Sequence, residues 1–316
     1  MSDKKLKETK EYTFIEDYVH SANALFHFVK ESKYLIDDLS RKALCPRYCN
    51  EDVKYLQIRN GDEEFKEISI LQKCFCDIPL RNILRPFPVK LTDNNKDLSD
   101  EQVKLIPSNQ NHTDLYGKYA IAFSKSWGER SKLQPIHYLC DESECVISFS
   151  KMIAASLSEN ELPDVVADSM INWLCYLKPL RGTMHRRIET ENHEKIDIEI
   201  YKNFHDEHEW RYVPFTVSRV DPQIDYLIAA KKLIERPELL RKMSDTINDT
   251  KFKNAWLPFQ YDDIRYIIVP DNNGRIEIIN AIRSFDTSLF YGDDIELQKS
   301  ILISKILLLD DIKKDF

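Results

Sequence analysis

Two glutamates separated by one residue are the part of this sequence best suited to chemistry. They stand in the run EHEWR at residues 207–211, at the start of a predicted strand. Because side chains i and i+2 of a strand point to the same side of a sheet, Glu207 and Glu209 can face one site. Such a pair can polarise a sugar hydroxyl or stabilise a positive charge. The alternative is a solvated turn with an Arg211 salt bridge.

His27 and Arg47 are the other polar side chains that could hold a ligand. His27 interrupts the apolar run Leu25–Val29, which is typical of a buried strand. It is either a ligand contact or a satisfied core histidine. Arg47 follows the predicted first helix, and its guanidinium can grip a pyrophosphate through two hydrogen bonds or can simply lie on the surface.

Metal sites and the common nucleotide and hydrolase motifs have little support. The cysteine pairs have C-x3-C, C-x-C and C-x4-C spacings, unlike zinc ribbons, and His205 with His208 also suits a polar turn. We therefore expect no metal. No two of the six glycines are closer than 11 positions, which excludes G-x-G-x-x-G and Walker A loops, and no G-x-S-x-G elbow occurs.

Composition narrows the class of protein. The 316 residues are 42% hydrophobic, and 53 acidic residues against 45 basic ones give a formal charge of -8. This balance argues against a non-specific polyanion binder with a basic surface. The seven cysteines form an odd set, the start has no apolar leader, and no apolar run approaches the ~18 to 20 residues of a membrane span. We expect free thiols in the cytoplasm and no membrane contact.

The elements that must position these residues predict one α+β domain over 1–316. Its core is expected at about 20–283, with helical insertions at about 150–178 and 221–257. A C-terminal tail at about 284–316 follows, and residues 293–314 of it are predicted to form one helix. A strand at Leu25–Val29 precedes a helix from Ser32. Further strands are predicted in YGKYAIAFS, in its expected neighbour QPIHYLC, in DIRYIIV and in a hairpin of IDIEIYKNF with EWRYVPFTV.

In chain order, His27, the segment YGKYAIAFSKSW and the E-x-E-W-R run resemble the ADP-ribosyltransferase superfamily. That superfamily grips NAD with a histidine, an aromatic residue and a glutamate on a split sheet. The chain resembles the AbiGi-like phage-resistance proteins more closely, and the DarT group, which modifies DNA bases, more distantly. The likeness spans about residues 24–270 and rests on the segments ALFHFVKESKYLIDDL, PRYCNED, CFCDIPL, YGKYAIAFSKSWG, QPIHYL and EHEWRYV. It implies an ADP-ribosyltransferase-like split β-sheet core with helical insertions.

The resemblance also implies roles for individual residues. Cleavage of the nicotinamide–ribose bond leaves an oxocarbenium-like sugar, which Glu209 would stabilise while Glu207 orients the nucleophile or acts as base. His27 would hydrogen-bond the adenosine ribose. Ile121 stands where the stacking tyrosine is expected. Either Tyr119, Phe123 or Trp127 supplies the ring, each of which could equally be a core aromatic, or the site binds nicotinamide less firmly.

Two functions of different class follow from this resemblance. The first is an NAD-dependent mono-ADP-ribosyltransferase toxin of an anti-phage system, with NAD as substrate and an RNA or DNA base, or a protein, as acceptor. The second is a non-catalytic antitoxin or interaction module that neutralises a partner or regulator protein. A plain NAD glycohydrolase is a further alternative. The missing tyrosine favours the antitoxin, while His27 and the E-x-E pair favour an enzyme, which requires residues 27 and 209 to meet at one dinucleotide-sized cleft.

Overall fold

Most strands in the described part of the protein are short. The computed structural model describes residues 21–60, 63–104, 106, 109–157, 163–189, 195–214 and 224–315. Its strands are β1 Ala24–Val29, β2 Ala43–Leu44, β3 Arg47–Asp52, β4 Arg59–Asn60, β5 Glu63–Glu64, β6 Glu67–Cys76, β7 Phe87–Pro88, β8 Lys90–Leu91, β9 Asn109–Gln110, β10 Tyr119–Ser124, β11 Gln134–Pro135, β12 His137–Leu139, β13 Leu177–Pro179, β14 Arg181–Glu189, β15 Lys195–Asn203, β16 Glu209–Tyr212, β17 Leu227–Ile228, β18 Leu257–Pro258, β19 Ile264–Val269 and β20 Ile306–Leu308.

Helices lie between and around these strands, so the expected mixed α+β class is confirmed. They are α1 Ser32–Arg41, α2 Asp100–Lys104, α3 His112–Tyr116, α4 Lys125–Arg130, α5 Glu144–Leu157, α6 Asp164–Leu174, α7 Lys231–Ile234, α8 Pro237–Thr246, α9 Asn272–Ser284, α10 Ile295–Ser304 and α11 Leu309–Asp315. Among the described residues, no helix is both long and apolar enough to cross a membrane.

The central sheet runs in the order β11-β16-β6-β1-β10-β19-β20, and β3 and β17 also pair with β6. The long strand β6 pairs with two different strands along its length. Residues 67–72 pair with β3, and residues 73–76 pair with β16. Cys76 faces both Phe26 of β1 and Glu209 of β16. The sheet therefore carries His27 and Glu209 on strands that flank the same end of β6.

The middle of this sheet is buried on both faces. Residues 120–123 of β10 are all buried, and α1 covers one side of the sheet through Leu35 and Leu39. Since both faces need apolar side chains, such strands read as nearly continuous apolar runs. Lys42 caps the end of α1. Its backbone is left-handed (φ 52°), and its N–H donates to the carbonyl oxygens of Asp38 and Leu39.

Several expected connections are wrong. The segments predicted to form one hairpin separate, because β15 pairs with β14 while β16 joins the central sheet. QPIHYLC does not neighbour β10, since β11 pairs with β16 and β12 with β13. The tail is not one helix, because α10 is followed by the strand β20, which pairs in parallel with β19. Residues 221–223 of the helical insertion predicted at about 221–257 lie outside the described residues. The first element of its described part is the strand β17, not a helix.

Candidate functional site

A cavity of about 740 Å³ lies between the central sheet and the β14–β15 hairpin. His27, Glu207 and Glu209 all line it, although they come from distant parts of the chain. The cavity wall also includes Lys178 from β13 and Arg186 from β14. The convergence expected of residues 27 and 209 is therefore observed, and this cavity is the candidate site.

The two glutamates share one lysine. Lys178 Nζ donates to Glu207 Oε2 at 3.0 Å and to Glu209 Oε2 at 2.9 Å, and both carboxylates are only 4% exposed. Glu209 begins β16, but Glu207 ends the 3-10 turn of residues 204–207, with His208 in the left-handed region (φ 43°) between them. The shared side thus depends on this turn and not on strand alternation alone.

Lys178 is the middle of a chain of buried ion pairs with alternating sign. Successive N–O distances along it are 2.9, 2.9, 2.9, 3.0 and 2.8 Å. We call it the ion-pair chain, and in order its members are Glu51, Arg211, Glu209, Lys178, Glu207 and Lys202. Three carboxylates face three cations, so the ion-pair chain has no net charge.

The surroundings keep these groups ionised. Burial alone would raise the pKa of Glu209, but the Arg211 and Lys178 charges outweigh it and hold that pKa at about 2. For Glu207 the same contest between burial and the charges of Lys178 and Lys202 also lowers the pKa. The two glutamates in turn raise the pKa of Lys178 well above its usual value, despite burial. Both carboxylates are therefore anionic and paired at neutral pH.

His27 has both ring nitrogens occupied. Nδ1 donates to the carbonyl oxygen of Cys74 at 3.0 Å, which leaves Nε2 to accept from Lys73 Nζ, also at 3.0 Å. Burial, together with the Lys73 charge, lowers the pKa of His27 to about 3, so the ring is neutral. His27 lines the cavity, but as a hydrogen-bonded member of the sheet.

The remaining candidates of the sequence do not line the cavity. Phe123 and Trp127 stack on each other with centroids 4.2 Å apart, and both are buried in the core. Tyr119 packs against that core near the start of α9. Arg47 pairs with Asp245 at 2.8 Å on the surface. None of these four side chains lines the cavity, because residues 120–123 of β10 are buried, Trp127 of α4 stacks on Phe123, and Arg47 pairs with Asp245 of α8.

Other side chains, which the sequence did not single out, complete the cavity. Tyr48, Tyr116 and Phe204 are its aromatic walls, and the Tyr116 hydroxyl donates to Glu207. Gln72 Oε1 is buried without a partner there. Tyr48 stands within PRYCNED and Tyr116 is the first residue of YGKYAIAFS, so both segments held a signal. Lys178 and Lys202 had none, because only the fold brings them to the glutamates.

Metal chemistry receives no support from the part of the chain that the structure describes. It contains no group of three or more histidine, cysteine or acidic side chains placed to hold an ion. His205 and His208 contact each other edge to face, with ring centroids 4.9 Å apart. The seven cysteines are free thiols.

Comparison with known proteins decides the family. A family model described as "Putative abortive phage resistance protein AbiGi, antitoxin" matches residues 104–270. The chain is also 32% identical over 281 residues to the abortive phage resistance protein AbiGi of Lactococcus lactis subsp. cremoris, covering 87% of this chain and all of that protein. This chain belongs to the AbiGi family. The AbiGi segment at 104–270 contains five of the six residues of the ion-pair chain, since Glu51 alone precedes it.

The AbiGi likeness read from the sequence is thereby confirmed, and with it a place among abortive phage resistance proteins. No solved structure matches the chain. The likeness to the DarT group stays a prediction.

Proposed function

We propose that this AbiGi family member is the antitoxin of a phage-resistance pair, a cytoplasmic protein that neutralises a partner protein and performs no reaction at its cavity. The observation that carries the proposal is that the polar atoms of the candidate side chains are already hydrogen-bonded within the protein. Every carboxylate oxygen of Glu207 and Glu209 accepts a hydrogen bond from a cation, and both nitrogens of His27 are engaged. The description of the matching family model, which includes the word antitoxin, agrees with this function.

Electrostatics supports a binding protein over an enzyme. ADP-ribosyl transfer and NAD hydrolysis both need a carboxylate that places negative charge beside a developing cationic sugar. Here the Lys178 ammonium lies within 3.0 Å of both carboxylates and would repel that cation. A neutral ion-pair chain stabilises the fold and offers no excess negative charge to a substrate.

The scaffold is proposed to be an ADP-ribosyltransferase-like split sheet whose catalytic function is absent. What supports this is the strand arrangement, in which β1 with His27 lies beside β10 and β6 divides its pairing between β3 and β16. A sheet of this kind without a free glutamate would keep the shape of a nucleotide cleft and lose the chemistry.

The test combines growth and NAD turnover. Expressed alone, the wild-type chain is expected to leave growth unchanged, and expressed with a protein from an adjacent gene that stops growth on its own, it is expected to restore growth. The purified chain, incubated with labelled NAD with and without RNA or DNA, is expected to leave the NAD intact. Transfer of label to nucleic acid or protein, or release of free ADP-ribose, would refute the proposal.

The second candidate is an NAD-dependent mono-ADP-ribosyltransferase toxin, and one observation favours it. His27, Glu207 and Glu209 line a single cavity of about 740 Å³, within the usual range for small-molecule sites. Turnover would require Lys178 to leave Glu209 before NAD enters. The acceptor would then be an RNA or DNA base beside the cavity.

Glu209→Gln separates the two candidates, with Lys202→Met as the matched control. Both substitutions remove one member of the ion-pair chain, but Lys202→Met keeps both carboxylates. A toxin would stop growth as wild type and as Lys202→Met, and would be harmless as Glu209→Gln. An antitoxin stops growth in none of the three forms.

A further inference from the structure

Helix α6, DVVADSMINWL, exposes several large apolar side chains. Leu174 is its sole buried residue among those whose burial the structure describes. Val165 is 72% exposed, Trp173 50% and Val166 38%. Adjoining exposed apolar side chains mark surfaces that bind other proteins more often than isolated ones do.

Helix α5 fixes α6 to the protein and widens the same surface. Val146, Phe149 and Ile153 of α5 are buried in the core. Its outer side presents Ile147 and Met152, which are 40% and 44% exposed. α5 packs against α6, so the two helices form one exposed unit. We name it the α5–α6 face and define it by Ile147, Met152, Val165, Val166 and Trp173.

The charge around this face is strongly one-sided. Among those of residues 140–170 whose burial the structure describes, four acidic side chains are exposed, Asp141, Glu142, Glu144 and Asp168, against a single lysine, Lys151. Asp141 and Glu144 lie exposed at the start of α5. An acidic rim around apolar side chains complements a partner surface that is basic and apolar.

We propose that the α5–α6 face is the surface through which this chain binds its toxin, against a patch of basic and apolar side chains on that protein. This inference rests on the proposed antitoxin function. It places the neutralising contact on the helices and away from the ion-pair chain. The acidic rim accelerates association and the apolar centre holds the complex.

The test measures binding of the full chain to the purified product of an adjacent gene, chosen because it stops growth on its own and is taken as the toxin. Val165→Ser combined with Val166→Ser is expected to weaken binding at least about 10-fold. Asp141→Asn combined with Glu144→Gln is expected to weaken it less, and only at low salt, because salt screens exposed charges. Ile276→Ser is the matched control, since Ile276 is 57% exposed on α9, and it is expected to bind as wild type with an unchanged melting temperature.

The alternative outcomes are distinct. If wild type neither binds the toxin nor restores growth, the antitoxin function itself fails. If wild type binds and the Val165/Val166 variant binds equally well, the antitoxin function stands and the α5–α6 face is wrong. Light scattering tests whether the face binds a second copy of this chain. If wild type is a dimer and the Val165/Val166 variant is a monomer, the face is a dimer interface and the proposal is overturned.

Discussion

Lys178 is the residue on which the polar interior depends most. It is the only residue through which Glu207 and Glu209 are joined within the ion-pair chain, and its side chain is 11% exposed. Removing one partner from a buried pair costs much more than the pair contributes, because the other charge is left desolvated. The charges of Lys178, Lys202 and Arg211 also make the two glutamates poor proton acceptors, because they hold both pKa values well below neutral pH.

Acid stability is expected to depend on these carboxylates. The pKa of Glu209 is about 2 in the folded protein, below its value of about 4.3 in an unfolded chain. Its stabilising contribution is therefore complete only above about pH 5 and is lost as the pH falls through 4 toward the lower pKa of the folded protein. Denaturant titrations at pH 7, 4 and 3 should show this fall in the free energy of unfolding for wild type.

Glu209→Gln should be less stable at pH 7 and should lose less stability below pH 4 than wild type. Glu296→Gln is the control, because that side chain is 84% exposed, and it should follow the wild-type curve. An acid slope for Glu209→Gln as steep as that of wild type would contradict the assignment.

At the scale of elements, Gly117 fixes how β10 meets β1. It lies between α3 and β10 with φ +121°, and an added Cβ would come within 2.2 Å of the Val29 carbonyl oxygen. No side chain fits there, and L-residues rarely adopt that backbone conformation. The approach of the Gly117 backbone to the end of β1 therefore sets where the central pairing of the sheet begins.

Gly117→Ala is expected to reduce the free energy of unfolding by about 3 kcal/mol or more, because the backbone of β1 must move. Gly292→Ala is the matched control. Gly292 also has a positive φ of +84°, but its added Cβ would meet only the Gln298 side chain, at 3.6 Å. That control should lose about 1 kcal/mol. Equal losses in urea titrations of the two variants would disprove the steric argument.

The elements also show how far the sequence alone could lead. Runs such as Leu25–Val29 and residues 264–269 identify strands because both faces of the central sheet need apolar side chains. The same burial hides which aromatic rings are accessible, so Phe123 and Trp127 read equally as ligand contacts or core. The partners of Glu209 were only partly readable, since Arg211 is its near neighbour whereas Lys178 reaches it through tertiary pairing. No local pattern records such pairing.

For the whole molecule, the ion-pair chain joins three sheets. Glu51, Arg211 and Glu209 belong to the central sheet, Lys178 to the β12–β13 pair, and Lys202 to the sheet of β14, β15 and β8. The hairpin β14–β15 is thus tied to the central sheet by buried charges. Loss of this tie should loosen the hairpin before the central strands.

Lys178→Met is expected to lower the free energy of unfolding by about 3 to 5 kcal/mol, because two carboxylates lose a shared cation. Hydrogen exchange should rise first in β14 and β15 and least in β10 and β19. Lys299→Met is the control, since Lys299 is 6% exposed and donates to the Arg283 carbonyl, away from the ion-pair chain. A uniform rise across all strands in Lys178→Met would show that the chain does not hold the hairpin.

The central position of β1 has a consequence for how the protein is made. During synthesis β1 leaves the ribosome before either neighbour, since it pairs with Cys76 of β6 and with Tyr119–Ser124 of β10. Until those segments emerge, its apolar side chains have no sheet to enter. A nascent chain in that state exposes a strand prone to aggregation, and its yield should depend on chaperones that bind extended apolar segments.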